Sequence, residues 1–104
     1  MKTTIITKDN VNTLAPKSIY VVHEGHENVV VLEGVYCNIE HAAGTTGSQA
    51  NRGVGDQLHY GVGDQSHHGE GIQFHRGEGS QSHYGEGKQF HEGKGSQFHC
   101  EEGE

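Results

Sequence analysis

Six histidines recur at intervals of eight residues: His59, His67, His75, His83, His91 and His99. Each follows a glutamine by two positions, at Gln57, Gln65, Gln73, Gln81, Gln89 and Gln97. Imidazole offers three kinds of chemistry. Neutral, it ligates Zn, Ni, Cu or Fe. It can also donate and accept a hydrogen bond at once, and its charge changes close to neutral pH. The glutamine carboxamide brings paired donors and an acceptor, the equipment for a ladder in which each amide bonds the one above and below when strands stack. A divalent transition metal on His59, His67, His75, His83, His91 and His99 is therefore the candidate cofactor. The structural alternative is a hydrogen-bonded ladder of Gln57, Gln65, Gln73, Gln81, Gln89 and Gln97 with the histidines stacked beside it.

Both residue types belong to a unit, G-x-G-x-Q-x-H-x, present in six copies from Gly53 to Cys100. A degenerate copy from Thr45 to Arg52 keeps Gly47 and Gln49. A short fixed period is the mark of a quasi-one-dimensional fold. Two glycines per unit rule out a helical repeat, and glycine does not recur every third residue as collagen requires. In an extended strand successive side chains point to opposite faces. The constant Gly, Gly, Gln and His share one parity and the variable residues the other. The variable parity carries Glu70, Glu78, Glu86, Lys88, Glu92 and Lys94, which resist burial, so the constant parity is expected inside. Leu58, Tyr60, Phe74, Tyr84, Phe90 and Phe98 then lie outside, packed on one another or on a neighbouring subunit. This reading expects β-structure across residues 53–100.

Residues 1–44 differ in kind. Thr3–Thr7, Ser18–His23, Val29–Glu33 and Val35–Ile39 read as short strands that hold most of the aliphatic residues, broken at Asp9-Asn10 and Ala15-Pro16-Lys17. No stretch of useful length has helical periodicity. The chain therefore divides into a small β-rich segment, 1–44, and an octapeptide-repeat β-helix or β-solenoid, 45–104. The first part would serve as a cap, an attachment element or the first coils of the repeat.

Only 30% of the residues are hydrophobic and 17 are glycine, too little apolar surface for a large monomeric core. That points to an intertwined or stacked homo-oligomer, with a trimer carrying one octad per third of a turn as the economical solution. The net charge of −7 disfavours nucleic acid and anionic membranes as partners, and no segment approaches transmembrane length. Protonation of all ten histidines would carry the formal charge to +3, so surface behaviour should change between pH 6 and 7. The first residues lack the apolar stretch of a secretory signal peptide.

Catalytic patterns find no match. There is no G-x-S-x-G, and His23-Glu24-Gly25-His26 is one residue short of H-E-x-x-H. Cys37 with His41 lacks a third partner. His23, Glu24, His26, Glu27 and His41 fit no standard metal spacing. Cys37 and Cys100 are expected to be free thiols. The chain reads as structural rather than enzymatic.

Over residues 47–100 the period, the glycine phase and the spacing of His59 to His99 resemble the triple-stranded β-helices of phage tail spikes and fibre tips. That resemblance implies a homo-oligomeric appendage of a phage or phage-like particle, with other particle components as further partners and inward histidines able to hold metal. The Gln and Gly ladder is also similar to functional-amyloid repeats, which implies an extracellular filament exported without a classical leader. A metal-sequestering protein with a disordered His-rich tail is the third expectation.

Overall fold

The computed structural model describes residues 2–100, with side chains through Phe98. It is a single-chain parallel β-solenoid. Among the described residues, eleven strands form two sheets. The six-stranded sheet contains β1 (Lys2–Ile6), β3 (Glu27–Val31), β5 (Gln49–Asn51), β7 (Gln65–His67), β9 (Gln81–Tyr84) and β11 (Gln97–Cys100), stacked in that order. The five-stranded sheet stacks β2 (Ile19–Val22), β4 (Asn38–His41), β6 (Gln57–His59), β8 (Gln73–His75) and β10 (Gln89–His91). Every pairing is parallel. The chain alternates between the sheets, so one coil is one strand from each.

The strands are shorter than the expected continuous extension of 53–100. Each octad contributes its Gln-x-His core as strand, with one further residue in β9 and β11, and its Gly-x-Gly turns the corner to the other sheet. The residues between the glycines still stack, as single bridges running Thr46, Val62, Glu78, Lys94 on one short side and Tyr36, Val54, Glu70 on the other. Gly63 illustrates why glycine is needed there. It adopts φ +151°, and a Cβ would lie 1.9 Å from the carbonyl oxygen of Gly47 in the coil below. The glycines let backbone stack directly on backbone at the corners.

Coil closure also differs from the expected third of a turn per octad. Gln49 pairs with Gln65 and Gln57 with Gln73, so two octads close one coil within a single chain. Strand pairing therefore needs no second chain.

The strands of residues 2–41 belong to the same two sheets. Thr4 pairs with Val29 and Val29 with Gln49, so the register separations are 25, then 20, and reach 16 only at Gln49–Gln65. The expected strand at Val35–Ile39 forms three residues later, because Gly34 at φ +84° and the single bridge at Tyr36 use that stretch as a corner. A one-turn helix α1 (Val11–Leu14) occupies the longest connection. Ile6, Val22, Val29, Val31 and Ile39 are buried between the sheets at this end, with Cys37 beside them.

Candidate functional site: the Gln/His interior

The inward residues form four columns, two per sheet, and each column changes chemistry along the solenoid. In the six-stranded sheet one column runs Thr4, Val29, Gln49, Gln65, Gln81, Gln97, and the next runs Ile6, Val31, Asn51, His67, His83. In the five-stranded sheet they run Tyr20, Ile39, Gln57, Gln73, Gln89 and Val22, His41, His59, His75, His91. The constant parity is inside, as the sequence indicates. Gln57, Gln65, Gln73 and Gln81 and His59, His67, His75 and His83 are at most 1% exposed. His91 and Gln89 are half-buried, and Gln97 is exposed. The backbone of His99 continues the register opposite His83, but its side chain lies outside the described residues.

From Gln65 onward each glutamine bonds the one a coil before it. Its Nε2 donates to Oε1 of the glutamine one coil below, from Gln65 to Gln49 at 2.8 Å and from Gln73 to Gln57 at 2.9 Å. The bond repeats from Gln81 to Gln65, Gln89 to Gln73 and Gln97 to Gln81. The second Nε2 proton crosses the core to a main-chain carbonyl of the other sheet, as in Gln73 to Ser82 at 3.1 Å and Gln49 to Leu58 at 2.8 Å. One carboxamide thus joins coil to coil and sheet to sheet. Gln49 lies in the degenerate octad yet is as buried as the rest, and it donates to Nδ1 of His41 at 2.9 Å.

The histidines are fixed in one tautomer. Nε2 of His59 lies 2.8 Å from the carbonyl of Gly47, so it carries the proton and donates. Nδ1 of His59 accepts the N–H of Gly61 at 3.1 Å. His67 repeats this with Gly55 and Gly69, and His75 with Gly63 and Gly77. The rings stack nearly parallel: His41 on His59 at 4.4 Å, His59 on His75 at 4.8 Å and His67 on His83 at 4.7 Å. Burial drives the His59 pKa from the ordinary 6.5 down to about 4, against the opposing pull of the Gly47 carbonyl. Burial lowers His41, His67 and His75 as well.

This geometry bears on the metal expectation. A neutral imidazole ligates through its unprotonated nitrogen, and in His59, His67 and His75 that lone pair accepts a glycine N–H. Parallel stacked rings also direct their nitrogens at the backbone of the corners instead of converging on a point. Ligation would require these bonds to open. Among the described residues, no three His, Cys, Asp or Glu side chains are grouped to hold an ion.

Two interior positions escaped the sequence reading. His41 belongs to the same column as His59, donating from Nε2 to the carbonyl of Glu27 at 2.7 Å. Both its nitrogens are therefore engaged, and it is no base for Cys37, whose buried thiol donates to the Asn38 carbonyl. Asn51 stands in the histidine column of the degenerate octad and reproduces both histidine bonds. Its Nδ2 donates to the Cys37 carbonyl at 3.0 Å, and its Oδ1 accepts the Gly53 N–H at 2.9 Å. The available signal was phase: Asn51 follows Gln49 by two residues, as every repeat histidine follows its glutamine.

The outer surface is sorted by sheet. The outward centre of the five-stranded sheet stacks Leu58, Phe74 and Phe90, and that of the six-stranded sheet stacks Ala50, Ser66, Ser82 and Phe98. Phe90 and Phe98 are 48% and 53% exposed. Among the described residues no helix is long and apolar enough to cross a membrane. No protein-family model, curated protein or solved structure matches the chain.

Proposed function

We propose that this chain is a structural protein, a β-solenoid module of a self-associating spike- or fibre-like appendage belonging to a phage or phage-like particle. The observation that carries the reading is the ladder. Gln73 donates to Gln57 and accepts from Gln89, and the same bond recurs coil after coil. An interior devoted to one repeated contact supplies stiffness and defined length, with the side-chain chemistry spent on holding coil to coil. The resemblance of residues 47–100 to spike octapeptide repeats supports the particle setting.

A second reading is favoured by one feature. Parallel, in-register stacking of identical Gln and His side chains is the arrangement of cross-β assemblies, so a self-assembling extracellular filament shares the same physics. Negative-stain electron microscopy of the purified protein tests both. Discrete particles of uniform length are expected. Unbounded filaments would replace the first reading by the second. Isolated single chains at every concentration would sink both.

A further inference from the structure

We infer that the outer face of the five-stranded sheet is a docking surface for a second copy of this chain, packed face to face and antiparallel about a two-fold axis through Phe74. The inference rests on the self-association proposed above and names the surface that performs it.

The face presents three outward columns over the coils of β6, β8 and β10. Its centre is Leu58, Phe74, Phe90, with the rings tilted against one another at 6.2 Å from Phe74 to Phe90. On one flank, separated by the same register of 16, stand Asp56, Ile72 and Lys88. On the other stand Tyr60, Arg76 and Glu92. Ile72 is 39% and Phe90 48% exposed, and Leu58, Tyr60, Ile72 and Phe74 bound a shallow groove of about 250 Å³. An exposed apolar stripe rimmed by charges is how an interaction surface looks before it is covered.

The charge pattern selects the partner. The first flank reads negative, apolar, positive, which is antisymmetric about Ile72. Reversing the solenoid axis in a second copy sets Asp56 against Lys88 of that copy, Lys88 against its Asp56, and Ile72 against Ile72. The same operation places Leu58 on Phe90, Phe74 on Phe74 and the Tyr60 hydroxyl opposite Glu92. Arg76 meets its own copy, but each guanidinium already lies over Phe74 at 5.4 Å and pairs with Glu92 at 3.5 Å in its own chain. A parallel arrangement would instead bury Ile72 against Arg76. An isologous interface needs a self-complementary patch; the parallel arrangement pairs Lys88 with Glu92 but leaves Asp56 against Tyr60, whereas reversal pairs both Asp56 and Lys88 and keeps Ile72 on Ile72.

Sedimentation equilibrium of the full chain, from micromolar to millimolar concentration, tests the surface. The parent should reach twice the chain mass. Lys88→Glu should raise the dissociation constant roughly tenfold or more, because the axis repeats each new repulsion. Adding Asp56→Lys to it should restore association. Phe74→Ser, at the axis and outward-facing, should weaken the dimer independently of charge, and circular dichroism of each variant should match the parent. Association that Lys88→Glu leaves unchanged, or that is rescued by Glu92→Lys in place of Asp56→Lys, overturns this interface and leaves self-association standing. A parent that stays monomeric throughout overturns both.

Discussion

The two ends of the solenoid solve one problem with different chemistry. Near the N-terminus the columns hold Ile6, Val22, Val29, Val31 and Ile39; from β5 onward they hold glutamine, histidine and Asn51. Backbone stacking is the same in both. What differs is tolerance of length. Apolar contact is non-directional, so the aliphatic coils close at separations of 25 and 20 residues and accommodate α1 in one connection. The amide bond from Gln65 to Gln49 has a required distance and angle, and once it begins the separation stays at 16. A hydrogen-bonded core imposes its period on the backbone, and an aliphatic core does not.

The sharpest way to break this comparison is at the corners. Gly63→Ala would put its Cβ 1.9 Å from the Gly47 oxygen, a clash with backbone that cannot yield. We expect the repeat coils to lose their cooperative fold, a cost above about 4 kcal/mol. Gly44→Ala, at the looser end, has φ +86° and nothing within 4 Å of the new methyl. It should cost about 1–2 kcal/mol of backbone strain alone. Urea denaturation of the two variants measures the difference.

Acid should separate the two ends next. The folded-state pKa of His59 lies near 4, below the ordinary 6.5. Neutral burial therefore stabilises the fold fully above pH 6.5, and this contribution disappears as the pH falls from 6.5 through about 4. His59 alone accounts for about 3 kcal/mol over that window, with contributions of the same sign from His41, His67 and His75. Hydrogen exchange at pH 5 and pH 7.5 should show protection lost first in β6 to β9, while β1 and β3 hold longest. A strong chelator at pH 7.5 should leave the melt unchanged, since the imidazole lone pairs bond glycine N–H groups. Chelator sensitivity would mean that metal has displaced those bonds.

Smaller effects sharpen the contrast. Gln73→Asn shortens the side chain and detaches it from both Gln57 and Gln89, at about 1–3 kcal/mol. Gln49→Asn should cost the same, because Gln49 donates to His41 and Leu58 and accepts from Gln65. Ile39→Val, one coil below Gln57 in the aliphatic end, should cost about 1 kcal/mol. Thermal melts rank the three, and a costless Gln73→Asn would show the ladder to be ornamental. Least of all, Arg76→Ala should change the melt of the dissociated chain by under about 1 kcal/mol, since its bridge to Glu92 is exposed on both sides.

Much of the interior was legible because parity is a strict code. The glycine, glutamine and histidine positions shared one face, and charged residues such as Glu78 and Lys94 shared the other. Coil closure was harder, since an eight-residue period does not state how many octads complete a turn. The information lay in the variable positions. The outward centres Leu58, Ser66, Phe74, Ser82 and Phe90 alternate large and small, which is the mark of two alternating sheets. Residues 2–41 offered no such period, because their coils differ in length. His41 could be placed only once Ile39 was known to lie under Gln57, whereas Asn51 carried its own signal in its phase, two residues after Gln49.

Two octads per coil has a consequence for how such a gene can change. Duplicating a single octad leaves the interior intact, because Gln and His occur in both sheets at the same phase. Yet every residue downstream of the insertion is transferred to the opposite side of the molecule, so an aromatic column such as Leu58, Phe74, Phe90 would be broken and continued by serines. Duplicating a pair of octads restores the sides. The inside counts in eights and the outside in sixteens. Length can therefore vary by slippage of the smaller unit, while a specific surface survives only even-numbered changes. Parity of repeat number, more than sequence drift within a repeat, is what selection on an outer face would police.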